Sequence, residues 1–202
     1  TIMRKSNLAL IAAIVALSPV AATQAEGISY TYADLGYVVT DIDGVSEDFD
    51  GFVLRGSIEI ANNWFVYGRY LDQSLSQFGV DFDLQQFSIG GGYAWSFAPN
   101  MDLYGKVGYT QAELDTSGQG FGGFDIDDDG YELGVGLRAR PMEALELEGA
   151  ITYVDLSDSG DDTSFGVAAR WFFTDNFALG IEGDFADDAN TYGFGVRWAF
   201  GK

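Results

Sequence analysis

Residues 191–200 read TYGFGVRWAF, and they divide by parity. Tyr192, Phe194, Val196, Trp198 and Phe200 fall on one side; Thr191, Gly193, Gly195, Arg197 and Ala199 fall on the other. A period of two over this length is a β-strand whose two faces meet different surroundings. A strand of a soluble sandwich would set Ser, Thr, Lys or Glu against mixed aliphatic residues. Here one face is almost wholly aromatic, while the other holds small residues and a single arginine. Lipid outside and a small polar lumen inside suit both faces.

The totals agree with that reading. The chain has 202 residues, 27 glycines, 15% aromatic residues and only 3 prolines, a β-rich composition large enough for one domain with a core. Cysteine and histidine are absent, which removes disulfides, thiolate metal sites and the commonest general base. A formal charge of −21 excludes nucleic acid as a partner, because phosphate binding needs a basic footprint. Residues 1–25 differ in kind: Arg4 and Lys5, an apolar run from Leu8 to Leu17, then Ser18-Pro19 and small residues to Ala25. That is the layout of a secretory signal peptide, too short in its apolar part to span a bilayer as a helix. It predicts a start at Met3, cleavage near Ala25 and a mature domain over residues 26–202. Without Arg4 and Lys5 the ten basic residues fall to eight, against 31 acidic ones.

Alternating segments recur at about 28–40, 51–61, 64–74, 84–96, 102–114, 129–140, 145–156, 163–173, 177–187 and 191–200. Each is about the length a tilted strand needs to cross a bilayer. The connections alternate too. Ala61 to Asn63, Phe97 to Met101, Pro141 to Ala144 and Thr174 to Asn176 are short; those between them are mostly longer and more acidic. Short turns at one end and long loops at the other, with an even strand count, predict an all-β transmembrane antiparallel up-and-down β-barrel of ten strands, with eight as the alternative.

Parity sorts the side chains. Phe52, Leu54, Trp64, Val66, Phe87 and Ile89 begin an uncharged outward set, and Trp64, Trp95, Trp171 and Trp198 all lie outward near a short turn or the C-terminus. This predicts an aromatic girdle at one headgroup level. Inward parity collects Arg55, Arg69, Lys106, Arg138, Arg140, Arg170 and Arg197 against Asp34, Glu59, Glu132, Glu146, Glu148, Glu182 and Asp184. Charges withdrawn from bulk water require partners, so an ion-pair network in the lumen is expected. Arg138 should meet Glu146 and Glu148 across a short turn, and Arg197 should lie between the strands of Glu182 and Asp34. A three-residue hairpin at 61–63 would set Arg55 opposite Arg69, a repulsive pair that must recruit an acid or water.

Other motifs resolve blandly. Asp125-Ile126-Asp127-Asp128-Asp129-Gly130 imitates the start of a calcium loop, but Gly136 stands where the twelfth-position Glu would be needed. Loop carboxylates such as Asp43, Asp48, Asp125 and Asp127 are read as solvated, with sharing of divalent cations with lipid phosphates as the alternative. No metal site, cofactor or catalytic residue is assigned. The glycine triplet at 90–92 sits in mid-strand, not at a strand-to-helix turn, so it is no phosphate loop. Phe121 and Phe124 are the aromatic residues of the long loops considered for adhesion.

The signal layout, the tandem hairpins and the phrases NNWFVYGRY at 62–70 and TDNFALGIEGDF at 174–185 resemble the small outer-membrane β-barrel proteins of Gram-negative bacteria, of OmpA/OmpX-like type. The resemblance covers about residues 27–200. The closing strand is similar to that family's C-terminal assembly signal, with Gly195, Trp198 and Phe200 at its glycine and aromatic positions. It departs in continuing through Gly201 and Lys202, and the best-known members have eight strands. The resemblance implies the outer membrane as location, lipid and lipopolysaccharide as surroundings, and the barrel assembly machinery as a partner during insertion; the oligomeric state is left open, with a monomer favoured. The family's members range from structural anchors to adhesins and small channels, so the resemblance does not fix activity; the lack of histidine points to a non-enzymatic protein with a structural or surface-interaction role. A narrow porin-like channel for small ions or solutes is the alternative.

Overall fold

The structure, a computed structural model, describes residues 27–77, 79–118, 123 and 125–200. The expected signal segment, Phe121, Phe124 and Gly201-Lys202 lie outside the described residues. Ten strands follow in order: β1 (Tyr32–Ile42), β2 (Phe49–Ala61), β3 (Trp64–Gln77), β4 (Val80–Ala98), β5 (Met101–Gly118), β6 (Asp125–Met142), β7 (Leu145–Leu156), β8 (Gly160–Phe172), β9 (Phe177–Phe185) and β10 (Ala189–Ala199). Each pairs antiparallel with its sequence neighbours, and β10 pairs with β1, so the sheet closes into a barrel without an edge through its body. The closing seam sets Tyr37 beside Phe194 and Leu35 beside Val196 on the outside, and Asp34 beside Arg197 on the inside.

At the short-turn end the chain reverses tightly. Asn62 and Asn63 take φ of 43° and 73°, the paired left-handed geometry of a type I′ hairpin. The turn therefore has two residues, not the expected three; a register shift between Glu59 and Ala61 absorbs the difference and still brings Arg55 opposite Arg69. Pro141, which lacks a ladder donor, falls in a second shift between Ala139 and Met142.

At the other end β4, β5 and β6 run further than their sequences suggested. The segments 75–83 and 115–128 contain a tight hairpin with Gly79 at φ 78° and strand extensions reaching Gly118 and back from Asp125. Their aspartates mimic loop composition, yet Val80, Phe82 and Leu84 still alternate with Asp81 and Asp83. The aspartate-rich run at 125–129 is thus strand, and its β7 side is not continued by the ladder, which begins at Gly130–Leu156. Charge on such an unpaired margin discourages strand addition by another chain.

The outward faces are apolar and exposed in the isolated chain: Ile181 is 67% accessible, Phe194 64% and Phe52 61%. From Leu145 to Tyr153 the outer face of β7 is uncharged. That stretch covers roughly 26 Å of strand, or about 20 Å along the normal at a usual tilt, close to the apolar band of an outer-membrane barrel. Among the described residues no helix is long and apolar enough to cross a membrane.

Inside, inward glycines face large side chains. A Cβ at Gly92 would overlap the Phe65 ring, and one at Gly136 would come within 2.5 Å of the Tyr104 ring and hydroxyl. Small residues on one strand accommodate the aromatic rings projecting from another.

Candidate functional site

The lumen is densest at the short-turn end, where Glu146 of β7 is the hub. Glu146 Oε1 accepts hydrogen bonds from Arg138 Nη2 at 2.8 Å, Arg197 Nη1 at 3.0 Å and Arg170 Nη1 at 3.3 Å. These arginines come from β6, β10 and β8, so one carboxylate ties three strands. Arg197 also donates to Asp34 through Nε and Nη2, each at 2.7 Å, locking the β10–β1 seam. Arg170 reaches Glu148 at 2.7 Å, and Tyr104 donates to the other oxygen of Glu148 at 2.6 Å. Glu146, Arg138, Arg197, Asp34 and Arg170 are all buried. Burial of such charges is tolerable here because every carboxylate has a cationic partner.

Beside this ionic half lies an aromatic half. Tyr30 stacks on Phe65 with centroids 4.8 Å apart, Tyr104 approaches both rings edge-on, and Ile28 and Ala94 complete the cluster. Arg138 joins the halves: its guanidinium carbon lies 4.6 Å from the Tyr30 ring centre. Arg197 sits 3.7 Å from the centre of Tyr32.

Towards the loop end the interior is wetter. Arg55 and Glu182 form a two-bond pair at 2.6 and 2.9 Å, with side chains 26% and 23% accessible. Lys106 reaches Glu132 at 3.3 Å, and Tyr67 donates to the same oxygen at 2.5 Å. Arg69 donates to Gln86 and has no carboxylate at ion-pair distance among the described residues. A cavity of about 30 Å³, room for about two waters, lies against Asp34, Arg55, Arg170, Glu182 and Arg197.

Of the charges read from sequence, the structure gathers Asp34, Arg138, Glu146, Glu148, Arg170 and Arg197 into one network. Arg55–Glu182 and Lys106–Glu132 stand as separate pairs. Arg197 lies between the strands of Glu182 and Asp34, as expected; its second carboxylate is Glu146, and Glu182 reaches across the lumen to Arg55. One expectation is corrected. Glu59 joins no ion pair among the described residues; it is exposed at the rim and accepts from the Asn63 amide at 3.4 Å. Arg140 turns onto the Phe172 ring and donates to the carbonyl of Glu143. Sequence reasoning missed Asp102, buried beside Arg138 in the ladder, although it shares the inward parity of Tyr104 and Lys106. It also missed the role of Ile28 and Tyr30, which were assigned to the first strand.

The outer surface carries two aromatic levels. Trp64, Trp95, Trp171 and Trp198 are about half exposed near the short-turn end; Trp64 packs against Tyr93 at 5.1 Å and Trp198 on Phe177 at 6.2 Å. At the opposite level tyrosine hydroxyls donate to acids just beyond: Tyr37 to Asp50 at 2.6 Å, Tyr131 to Asp155 at 2.9 Å and Tyr70 to Asp72 at 3.1 Å. In the closing strand Gly195 lies flat against Gly36 of β1, and Trp198 lies 4.7 Å from Phe200.

Beyond the tyrosine level, Glu113, Asp115 and Asp125 bring carboxylate oxygens within 4.8 Å of one another, the one described group with donors close enough for a hard divalent cation. The charge of Asp115, then partial desolvation and Asp125 and Asp127, raise Glu113 above the usual carboxylate range. Asp128 is the opposite case. Hydrogen bonds from the Ser159 hydroxyl first, then from the Asp158 and Ser159 amides, hold its carboxyl below the usual range and fix the β7–β8 loop.

A family model described as "Outer membrane protein beta-barrel domain" matches residues 8–200. No curated protein matches the sequence. Among solved structures, the NanC porin superposes with a TM-score of 0.54 at 10% identity, covering 83% of this chain and all of that one. The translocator domain of the autotransporter NalP from Neisseria meningitidis gives 0.52 at 7% identity, covering 96% and 94%. The attachment invasion locus protein Ail of Yersinia pestis gives 0.48 at 18% identity, covering 85% and 100%. At these identities the likeness concerns the fold.

Proposed function

The chain belongs to the outer membrane protein β-barrel domain family, and we propose that this member is a non-enzymatic barrel with a closed lumen. It resides in the outer membrane. Its role in this reading is structural, with its acidic loop end presented outward as an interaction surface. The observation that carries the reading is the buried Glu146–Arg138–Arg170–Arg197–Asp34 network, packed side by side with the Tyr30–Phe65–Tyr104 cluster. Side chains that pair across a bore tie the wall strands together and leave no file of water through that level. The absence of histidine removes the usual general base, and the lumen carboxylates of this network are each engaged by arginine, which suits a tie rather than a proton-transfer centre. The tryptophan level then faces the inner leaflet, the tyrosine–aspartate level meets lipopolysaccharide, and Gly195, Trp198 and Phe200 present the closing strand to the assembly machinery. The barrel is complete as a monomer.

A vesicle-swelling assay tests the reading. Vesicles holding the refolded protein should swell in small sugars no faster than protein-free ones. Swelling that depends on solute size would establish the narrow-channel alternative. Lipase, acyltransferase and protease assays should show no turnover above that of heat-denatured protein.

A further inference from the structure

The segment before β1 does not continue the wall. Residues Gly27 to Thr31 precede the first strand, yet Ile28, Tyr30 and Thr31 are as buried as the core. β1 is flanked by β2 and β10, but the partners of Ile28 and Tyr30 are Phe65 on β3, Ala94 on β4 and Tyr104 on β5. The Ser29 carbonyl accepts from Arg138 Nη1 of β6 at 3.1 Å. Contacts with strands on the far side of the barrel require the segment to cross the bore. Among the described residues its backbone ladder with the wall is a single bond, Phe200 N to Thr31 O at 3.0 Å. Side chains therefore hold it, and local opening is cheapest where backbone pairing is sparse.

We propose that residues 27–31 form a removable stopper, and that the barrel has a latent conductance for small inorganic ions, released when this segment leaves the lumen. The inference rests on the closed-lumen reading and deepens it. The closure at this level has two halves of different kind. The ionic half, Glu146 with its arginines, projects from wall strands and cannot leave without unfolding. The aromatic half owes two of its members, Ile28 and Tyr30, to the segment. Their departure opens a passage along Phe65, Ala94 and Tyr104 between that wall and the ionic network. On the loop side the passage meets the partly accessible Arg55–Glu182 pair and Lys106, which is paired to the buried Glu132, then Asp184, which is exposed. Fixed charges of both signs along the ionic side and at the loop end admit small hydrated ions.

The test is single-channel recording on refolded Ile28→Ser/Tyr30→Ser, on Phe65→Ser, and on the unaltered chain, with folding checked by circular dichroism and heat-modifiable gel mobility. Removing a buried tyrosine from its stack should raise the fraction of time conducting by about a hundredfold. The Phe65→Ser variant should open as well, because it weakens the same contact from the wall side. Folded variants as silent as the unaltered chain overturn the stopper and leave the closed lumen standing. An unaltered chain that conducts as freely as the variants overturns both. A readout independent of conduction is the thiol reactivity of Ile28→Cys, since the chain has no native cysteine. A bulky, membrane-impermeant reagent should label it about a hundredfold more slowly than in urea-unfolded protein. Labelling at the unfolded rate means the segment does not occupy the bore, and the inference fails.

Discussion

Glu146→Gln is the substitution with the most to lose. The side chain is 2% accessible and one oxygen serves three guanidinium groups, at 2.8, 3.0 and 3.3 Å. Glutamine keeps the shape and removes the charge. Two of the arginines have a second carboxylate: Arg197 keeps its two bonds to Asp34, and Arg170 keeps Glu148 at 2.7 Å. Arg138 does not. Its remaining bond is to the Ser29 carbonyl, and it is as buried as Glu146. The variant thus strands about one charge in a site water enters with difficulty, which costs about 3–5 kcal/mol. Glu148→Gln should cost less, because Arg170 retains Glu146 and the Tyr104 hydroxyl still finds an acceptor; about 1–3 kcal/mol is expected. Glu59→Gln, exposed at the rim, should stay within about 0.5 kcal/mol. Reversible urea unfolding in lipid vesicles, followed by tryptophan fluorescence, measures all three. Glu146→Gln unfolding at the same midpoint as Glu59→Gln would refute the hub.

Packing inside and outside should respond differently to one added methyl. A Cβ at Gly92 collides with Phe65 and approaches the Gly105 carbonyl at 2.6 Å, so Gly92→Ala should destabilise by about 1–3 kcal/mol; at Gly105 the nearest atom is 3.9 Å away on the lipid face, and Gly105→Ala should be neutral in the same unfolding assay. Asp128 titrates below its usual 3.8, so the stability it lends is present above that value and is lost as pH falls through its lowered folded value. The protection of the Asp158 and Ser159 amides, measured against their intrinsic exchange rates, should fall there, and in Asp128→Ala it should be low at every pH. Glu113 is raised above 4.5, so its ionisation weakens the folded state as pH rises through that region. Glu113→Gln should therefore unfold at higher urea than the unaltered chain at neutral pH, and the gain should vanish below pH of about 4.

The barrel is legible in the sequence because its two environments repeat on every strand. Tyr192, Phe194, Val196 and Trp198 against Gly193, Gly195 and Arg197 show the pattern in one strand, and the ladder confirms the same faces around the circle. Local partners are legible as well, because neighbouring strands of a hairpin pair near their turn: Arg55 meets Arg69 and Arg138 meets Glu148, with a register shift beside each turn making up for a turn shorter than its sequence suggests. Partners across the bore are not. Glu182 faces Gly193 and Ala168 in the ladder and finds Arg55 only through the lumen, a distance no sequence neighbourhood encodes. Composition misled where it overrode alternation, as in Asp81 and Asp83, which carry β4 outward instead of ending it. Parity misled once. Ile28 and Tyr30 continue the inward rhythm of β1, but the β10 ladder ends at Ala199 opposite Tyr32, so the segment turns into the bore.

The central claim is that the lumen is shut at the level of Glu146 and Tyr30. Planar-bilayer recording of the refolded, unaltered protein in molar salt tests it most directly. The account predicts a flat current with at most rare openings; frequent, discrete conductance steps from the unaltered chain would contradict it.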